Sequence, residues 1–151
     1  TPGAFVRKTF AVDWTEGTGD VPEGYDRVIV DAPCSGTGTL RRRPEIGLKR
    51  EEADLARLFQ LQVDITRRAA TRVKDGGRLI YAVCSVLRDE SEAVVEALLA
   101  GEPGSALRFE AAPFESAVGR AVAGEATMFR VMPQQHGTDG YFVASFIVRR
   151  G

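Results

Sequence analysis

The chain has 151 residues, 44% hydrophobic and 27% charged, with a formal net charge of −1. That length suits one domain, and the balance is ordinary for a globular protein and excludes a uniformly basic nucleic-acid binder. No apolar run approaches the roughly 20 residues needed to span a bilayer, and nothing resembles a signal peptide, so a reduced, cytoplasmic protein is expected.

Residues 4–13 read as a strand ending on Asp13, followed by a Gly/Pro-broken loop over 15–24. Val28, Ile29 and Val30 form a short continuous apolar run, the pattern of a strand covered on both faces, which Pro33 stops. Residues 51–74 carry helical spacing through Leu55, Leu58, Phe59, Gln62, Ile65, Ala69 and Val73. Glu51 and Glu52 open that helix, Arg72 and Lys74 close it, and Gly76 or Gly77 terminates it in a turn. A buried strand over 78–84 and a second helix over 88–101 come next.

Residues 106–114 read as a short strand and 115–127 as loop. Two final strands, 128–133 and 141–150, are joined by a turn-rich link. Both alternating sets of the last strand are largely apolar, so it is expected inside the sheet with both faces covered. Alternation of strand and helix implies an α/β, mostly parallel, Rossmann-like sheet with a C-terminal antiparallel pair. Ligands of such sheets bind past the carboxyl ends of the strands.

Two such strand ends carry the only cysteines. Asp31-Ala32-Pro33-Cys34-Ser35 follows one strand and Cys84-Ser85 another. If the strands are neighbours, roughly 5 Å apart, both thiols face one cleft. Free cysteine commonly acts as a small buried hydrophobe, but a rigid proline and the permissive Gly36 and Gly38 around Cys34 describe a shaped loop. No CxxC or paired histidine is present, which argues against a zinc ribbon or any other metal site. His136 is the single histidine, so a Cys-His or Ser-His hydrolase is less attractive. His136 and Asp139 are read as loop architecture. Arg41, Arg42, Arg43, Lys49 and Arg50 cluster after Cys34, a local patch able to grip phosphates.

The block DAPCSGTG at 31–38, with Cys-Ser at a later strand end, resembles RNA (cytosine-5) methyltransferases of the Nop/Sun type. The later block reads Tyr81-Ala82-Val83-Cys84-Ser85, with Val83 where the family usually has threonine. A third block, PQQHGTDGYFVASF at 133–146, resembles the family's pattern before its last strand. The resemblance runs from Asp13 to the C-terminus, apart from a stretch near 101–126. It implies S-adenosylmethionine as cofactor and RNA, by the bacterial branch rRNA, as substrate and partner.

By the same resemblance Cys84 attacks carbon 6 of cytosine, Cys34 assists release of the methylated product, and Asp31 hydrogen-bonds the base. Asp13, Asp31 and Pro33 stand on the cofactor side, and Arg41 to Arg43 contact RNA. In DNA cytosine-5 methyltransferases the Pro-Cys thiol itself attacks, and the local residues leave that role open to Cys34. Only the second cysteine block assigns it to Cys84. The family's glycine-rich cofactor loop and the acid after the following strand are missing. The chain is therefore expected to be the C-terminal portion of a catalytic domain. Such a piece is expected to bind cofactor weakly and to self-associate through an exposed sheet edge. Two alternatives remain: a thiol redox protein using Cys34 and Cys84, and a non-catalytic RNA-binding module.

Overall fold

The computed structural model describes residues 8–49 and 52–151. In chain order they form β1 (Tyr25–Asp31), a 3-10 turn at Thr37–Thr39, α1 (Ile46–Lys49) and α2 (Glu52–Ala70). Then come β2 (Val73–Val83), a second 3-10 turn at Arg88–Glu90, α3 (Glu92–Ala100), β3 (Leu107–Ala111) and α4 (Ala117–Ala123). β4 (Met128–Val131), α5 (Pro133–His136) and β5 (Tyr141–Arg150) complete the chain.

The sheet runs β1-β2-β5-β3, with β4 also paired to β5. β1 and β2 are parallel, with Val28 opposite Leu79 and Asp31 opposite Ala82. β5 is antiparallel to β2, β3 and β4. The mixed α/β class with an antiparallel C-terminal part is as expected, but among the described residues the parallel part is the single β1–β2 pair. β5 enters the sheet centre in the reverse direction, so each pair that it makes is antiparallel.

One face of the sheet carries the core. Val28, Leu79 and Phe146 lie in register across three strands, as do Val30, Tyr81 and Ala144. α2 covers this face with Leu58, Gln62, Val63, Thr66 and Ala69, and α3 with Val94, Val95 and Leu98. These positions recur every three or four residues, so each helix presents one stripe to the sheet. Burying each large apolar side chain contributes about 1.5–3 kcal/mol.

Several expectations need correction. Residues 8–13 form no strand, and the remainder of the segment expected over 4–13 lies outside the described residues. Arg50 and Glu51 also lie outside them, as do the side chains of Lys49 and Glu52. β1 is not covered on both faces: Ile29 points to the face opposite the core and is 73% exposed, and among the described residues β1 is also the edge of the sheet. α2 ends at Ala70 rather than near Lys74, and the Lys-Asp-Gly-Gly segment lies inside β2. There the register jumps from Tyr25↔Val73 to Arg27↔Arg78, and Gly76 takes a φ of 70°, so the glycines serve a strand irregularity rather than a helix end.

The stretch 115–127, expected as loop, contains α4. Ser116 caps it by accepting a 2.9 Å hydrogen bond from the Gly119 amide. Its two valines, Val118 and Val122, are exposed on the outside, so no core-facing period marks this helix in the sequence. β5 does sit inside the sheet, with Phe142, Ala144, Phe146 and Val148 buried, although Tyr141 on the other face is exposed.

Candidate active site

β1 and β2 end side by side. The ladder between them continues one step past β1, where the Ala32 amide donates to the Ala82 carbonyl at 3.0 Å. Pro33 follows, exposed, and the chain turns through Cys34. At the adjacent strand end stands Cys84. The two sulfurs are 3.1 Å apart, and both cysteines are half-buried. The expected common cleft is present, and the thiols are in hydrogen-bond contact within it.

Backbone contacts lock the loops. The Gly38 amide donates to the Cys84 carbonyl at 3.0 Å, and the Gly140 amide donates to the Gly38 carbonyl at 2.8 Å. A Cβ on Gly38 would fall 2.1 Å from the Gly140 oxygen, so only glycine fits this crossing. The Pro-Cys loop, the Cys-Ser strand end and the Asp-Gly turn before β5 thus meet at one point.

Beneath the sulfurs lies a carboxylate that the sequence reading missed. Glu90 is fully buried (0% exposed). Its Oε1 accepts from the Ser35 amide at 2.7 Å and from Gln62 Nε2 at 3.0 Å. Its Oε2 accepts from Ser35 Oγ and Ser85 Oγ, each at 2.5 Å. Gln62 also donates to the Pro33 carbonyl at 2.9 Å, which ties α2 to the same loop. A signal did exist in the sequence: serine follows both cysteines. Two hydroxyls carried to one depth by neighbouring strands need an acceptor, and Glu90, in the turn before α3, supplies it. Read linearly, Glu90 looked like helix-start charge. Behind it, Arg130 of β4 donates to the Val86 carbonyl at 2.9 Å and pairs with Glu92 at 2.6 Å, holding the chain after Cys84.

The electrostatics separate the thiols. Burial pushes the Cys34 thiol up to about 12; the hydrogen bond to Cys84 and the Cys84 charge add to this, the Gly36 amide opposes it, and the Glu90 charge reinforces it. Cys34 therefore keeps its proton at neutral pH, and in the sulfur–sulfur contact either thiol can donate. Tyr141, at the start of β5, also has its hydroxyl pKa raised, by burial first and then by the charges of Cys84, Asp31 and Asp139. It is a second residue at the cleft that the sequence reading passed over.

The other expected site residues are placed as follows. Asp31 is exposed at the end of β1 and has no hydrogen-bond or ion-pair partner among the described residues. It borders a cavity of about 360 Å³ lined also by Trp14, Val28, Val30, Ile65 and Ala69. Asp13 lies in an exposed turn rather than at a strand end, its Oδ1 accepting from the Thr15 amide at 2.8 Å and hydroxyl at 2.6 Å. Those bonds, the hydroxyl's first, hold its carboxyl below the usual range.

Arg41, Arg42 and Arg43 are 58%, 63% and 65% exposed at their side chains. Arg42 forms a two-nitrogen ion pair with Asp139, Arg41 approaches the same carboxylate at 3.7 Å, and Arg43 pairs with Glu45 at 3.4 Å. Asp139 is thus the anchor that joins the arginine segment to the Asp-Gly turn. His136 is exposed, its Nδ1 accepting from the Met132 amide at 3.0 Å. Among the described residues no helix is long and apolar enough to cross a membrane, and no group of three His, Cys, Asp or Glu side chains is arranged to hold a metal.

Comparison with known proteins agrees with this geometry. Ribosomal RNA small subunit methyltransferase B of Klebsiella pneumoniae (strain 342) is 38% identical over 128 residues, covering 85% of this chain and 27% of that protein. The protein of that name from Salmonella arizonae is 37% identical over 123 residues, 82% of this chain and 26% of its own length. The chain thus spans about a quarter of the curated relatives it matches.

Among solved structures, PH0851 superposes with a TM-score of 0.68 at 31% identity, covering 83% of this chain and 26% of that one. NSun6 from Pyrococcus horikoshii, solved with SFG, gives a TM-score of 0.68 at 22% identity over 95% of this chain and 34% of its own, a likeness of fold. Residues 6–147 match the family described as 16S rRNA methyltransferase RsmB/F, and with nearly the whole chain inside that match, the chain belongs to the RsmB/F family.

Proposed function

We propose that the protein carrying this chain methylates carbon 5 of a cytosine in ribosomal RNA, with S-adenosylmethionine as methyl donor. The observation that carries this reading is the contact of two half-exposed thiols, 3.1 Å apart, past the ends of adjacent parallel strands. One sulfur is needed to attack the ring and a second group to help it leave.

The residues fit one side of the cofactor. Asp31 offers a carboxylate unpartnered among the described residues beside a cavity, suited to a cationic ligand, and Pro33, two residues on, is exposed past the strand end. Asp13 keeps Oδ2 available for an adenine edge, since Thr15 occupies Oδ1. S-adenosylmethionine, when bound, supplies a methyl group on a cationic sulfur. The 151-residue chain alone is expected to bind it more weakly than micromolar, as titration calorimetry would read; micromolar affinity would contradict this.

Cytosine carbon 5 is a poor nucleophile until a thiolate adds at carbon 6. Cys84 Sγ forms that bond, and the electron pair displaced to the ring makes carbon 5 reactive. Asp31, at the same strand ends, accepts a hydrogen bond from the cytosine amino group and so orients the base. After methyl transfer the carbon-5 proton leaves, the ring double bond reforms, and the Cys84–carbon 6 bond breaks. The Cys34 thiol, protonated and in contact with Cys84 Sγ, stabilises the departing thiolate by hydrogen bonding. Arg41 and Arg43 bind RNA phosphates; the exposed Arg43–Glu45 pair yields readily to a phosphate, and Arg41 stands 3.7 Å from Asp139 with its own side chain exposed. A cytosine must leave its stack to reach this cleft.

The test uses the full-length protein, S-adenosylmethionine and RNA containing 5-fluorocytidine. Wild type should form a covalent protein–RNA adduct and Cys84→Ala none. With ordinary RNA, Cys34→Ala should accumulate the adduct because release is impaired. The sulfur contact also suits a dithiol redox pair. That reading takes its place if no adduct forms while the two thiols oxidise reversibly.

A further inference from the structure

We propose that Glu90 is a positioning residue that sets the spacing of the Cys34 and Cys84 sulfurs by clamping both Cys-Ser segments to one buried carboxylate. The assignment of a catalytic consequence rests on the function proposed above; the spacing itself does not.

The geometry divides the carboxylate into two jobs. Oε1 holds the Cys34 loop through the Ser35 amide and through Gln62, which reaches on to the Pro33 carbonyl. Oε2 bridges the two loops, because Ser35 Oγ and Ser85 Oγ both donate to it. Each serine is the residue after a cysteine, so displacement of the carboxylate moves both sulfurs. All four groups around Glu90 are donors, which only an acceptor without N–H or O–H satisfies. The site is fully buried, so no solvent can stand in for a lost bond.

Ordinary scaffolding does not account for this arrangement. The loops are already tied by the Gly38–Cys84 backbone bond, and the strands beneath are paired through Ala32 and Ala82. Those contacts fix the backbone; the carboxylate fixes the residues next to the thiols. An apolar residue at 90 would fill the volume without linking Ser35 to Ser85. Glutamine keeps the shape but has one acceptor oxygen. With its amide nitrogen at the Oε1 position it faces the fixed Ser35 N–H; at the Oε2 position both serine hydroxyls must turn round to accept from it, and the charge that draws them to one point is lost.

A trivalent arsenical, phenylarsine oxide, reads the spacing without RNA or cofactor, because it closes a ring on two adjacent thiols and releases water. Full-length wild type is expected to bridge Cys34 and Cys84 through one arsenic, protecting both from alkylation as read on their peptides by mass spectrometry. Glu90→Gln should weaken capture about 10-fold or more, the scale of one lost buried hydrogen bond to a charged group. Phe109→Leu, in the core on β3, is the control: it lowers the melting temperature and leaves capture unchanged.

Should Glu90→Gln fail to fold, Ser85→Ala decides the matter. It removes one arm of the bridge and leaves the carboxylate bound to Ser35 and Gln62, and it too should weaken capture several-fold. Capture equal to wild type in the folded variants overturns the proposal. With ordinary RNA, a folded Glu90→Gln enzyme should carry more covalent adduct than wild type, because a displaced Cys34 assists release poorly. If capture is weakened but no variant ever forms an adduct, the positioning role stands and the methyltransferase reading fails.

Discussion

The loop past β1 and the solvent face of β1 itself differ in how much of their chemistry the described residues complete. Past its carboxyl end, Cys34, Ser35 and Gly38 are tied to β2, to Glu90 and to the turn before β5 by a chain of buried hydrogen bonds. On its solvent face, Tyr25 and Ile29 are exposed, and the Asp31 carboxylate has no hydrogen-bond or ion-pair partner among the described residues. Buried polar groups that are fully satisfied specify one geometry, whereas an open edge specifies little and invites pairing. The thiol pair is therefore built by this chain, whereas among the described residues the Asp31 carboxylate and the Ile29 side of β1 are left open.

The sharpest way to break that contrast is at the crossing of the loops. Gly38→Ala places a Cβ against the Gly140 carbonyl and forces the loops apart. Adduct formation by the full-length protein should fall about 100-fold, the scale of an ångström-sized misplacement of reacting groups. Near-normal adduct yield would mean that the loops tolerate separation.

A second difference lies in protonation. Alkylation of Cys34 by iodoacetamide, followed by peptide mass spectrometry, should stay slow through neutral and mildly alkaline pH and rise as pH approaches about 12. The folded thiol holds its proton more tightly than the unfolded one, whose reference value is 9.0. Its contribution to stability is thus intact below about pH 9 and is lost as pH rises from there toward about 12. Cys34→Ala should lack this component. Rapid alkylation of Cys34 at pH 7 would reverse the assigned roles of the two sulfurs.

The smallest effect belongs to the edge. In the 151-residue chain, Ile29→Ala should cost less than about 0.5 kcal/mol in denaturant unfolding. We propose that the chain self-associates along this edge, so light scattering should report a species larger than a monomer and Ile29→Lys should reduce it. A clean monomer would count against that.

Much of this was legible in the sequence, for identifiable reasons. The short apolar runs at Val28–Val30 and at 79–83 mark neighbouring strands, and the Cys-Ser repeat at their ends places two thiols together. The interior position of β5 follows from its two apolar faces. What escaped reading depends on long-range partners. Glu90 lies 55 residues from Ser35, and nothing near it announces burial. Exposure of Ile29 depends on what packs over the sheet face opposite the core, which composition does not encode. α4 was hidden because its valines face outward. Asp13 was assigned to a strand end by an apolar run, but Thr15 draws it into a local turn.

Peptide mapping of the 5-fluorocytidine RNA adduct of the full-length protein tests the central claim most directly. The cross-linked nucleotide should be found on the peptide containing Cys84, with Cys34 carrying a free thiol. A nucleotide attached to Cys34, or an adduct that survives replacement of Cys84 by alanine, would contradict it.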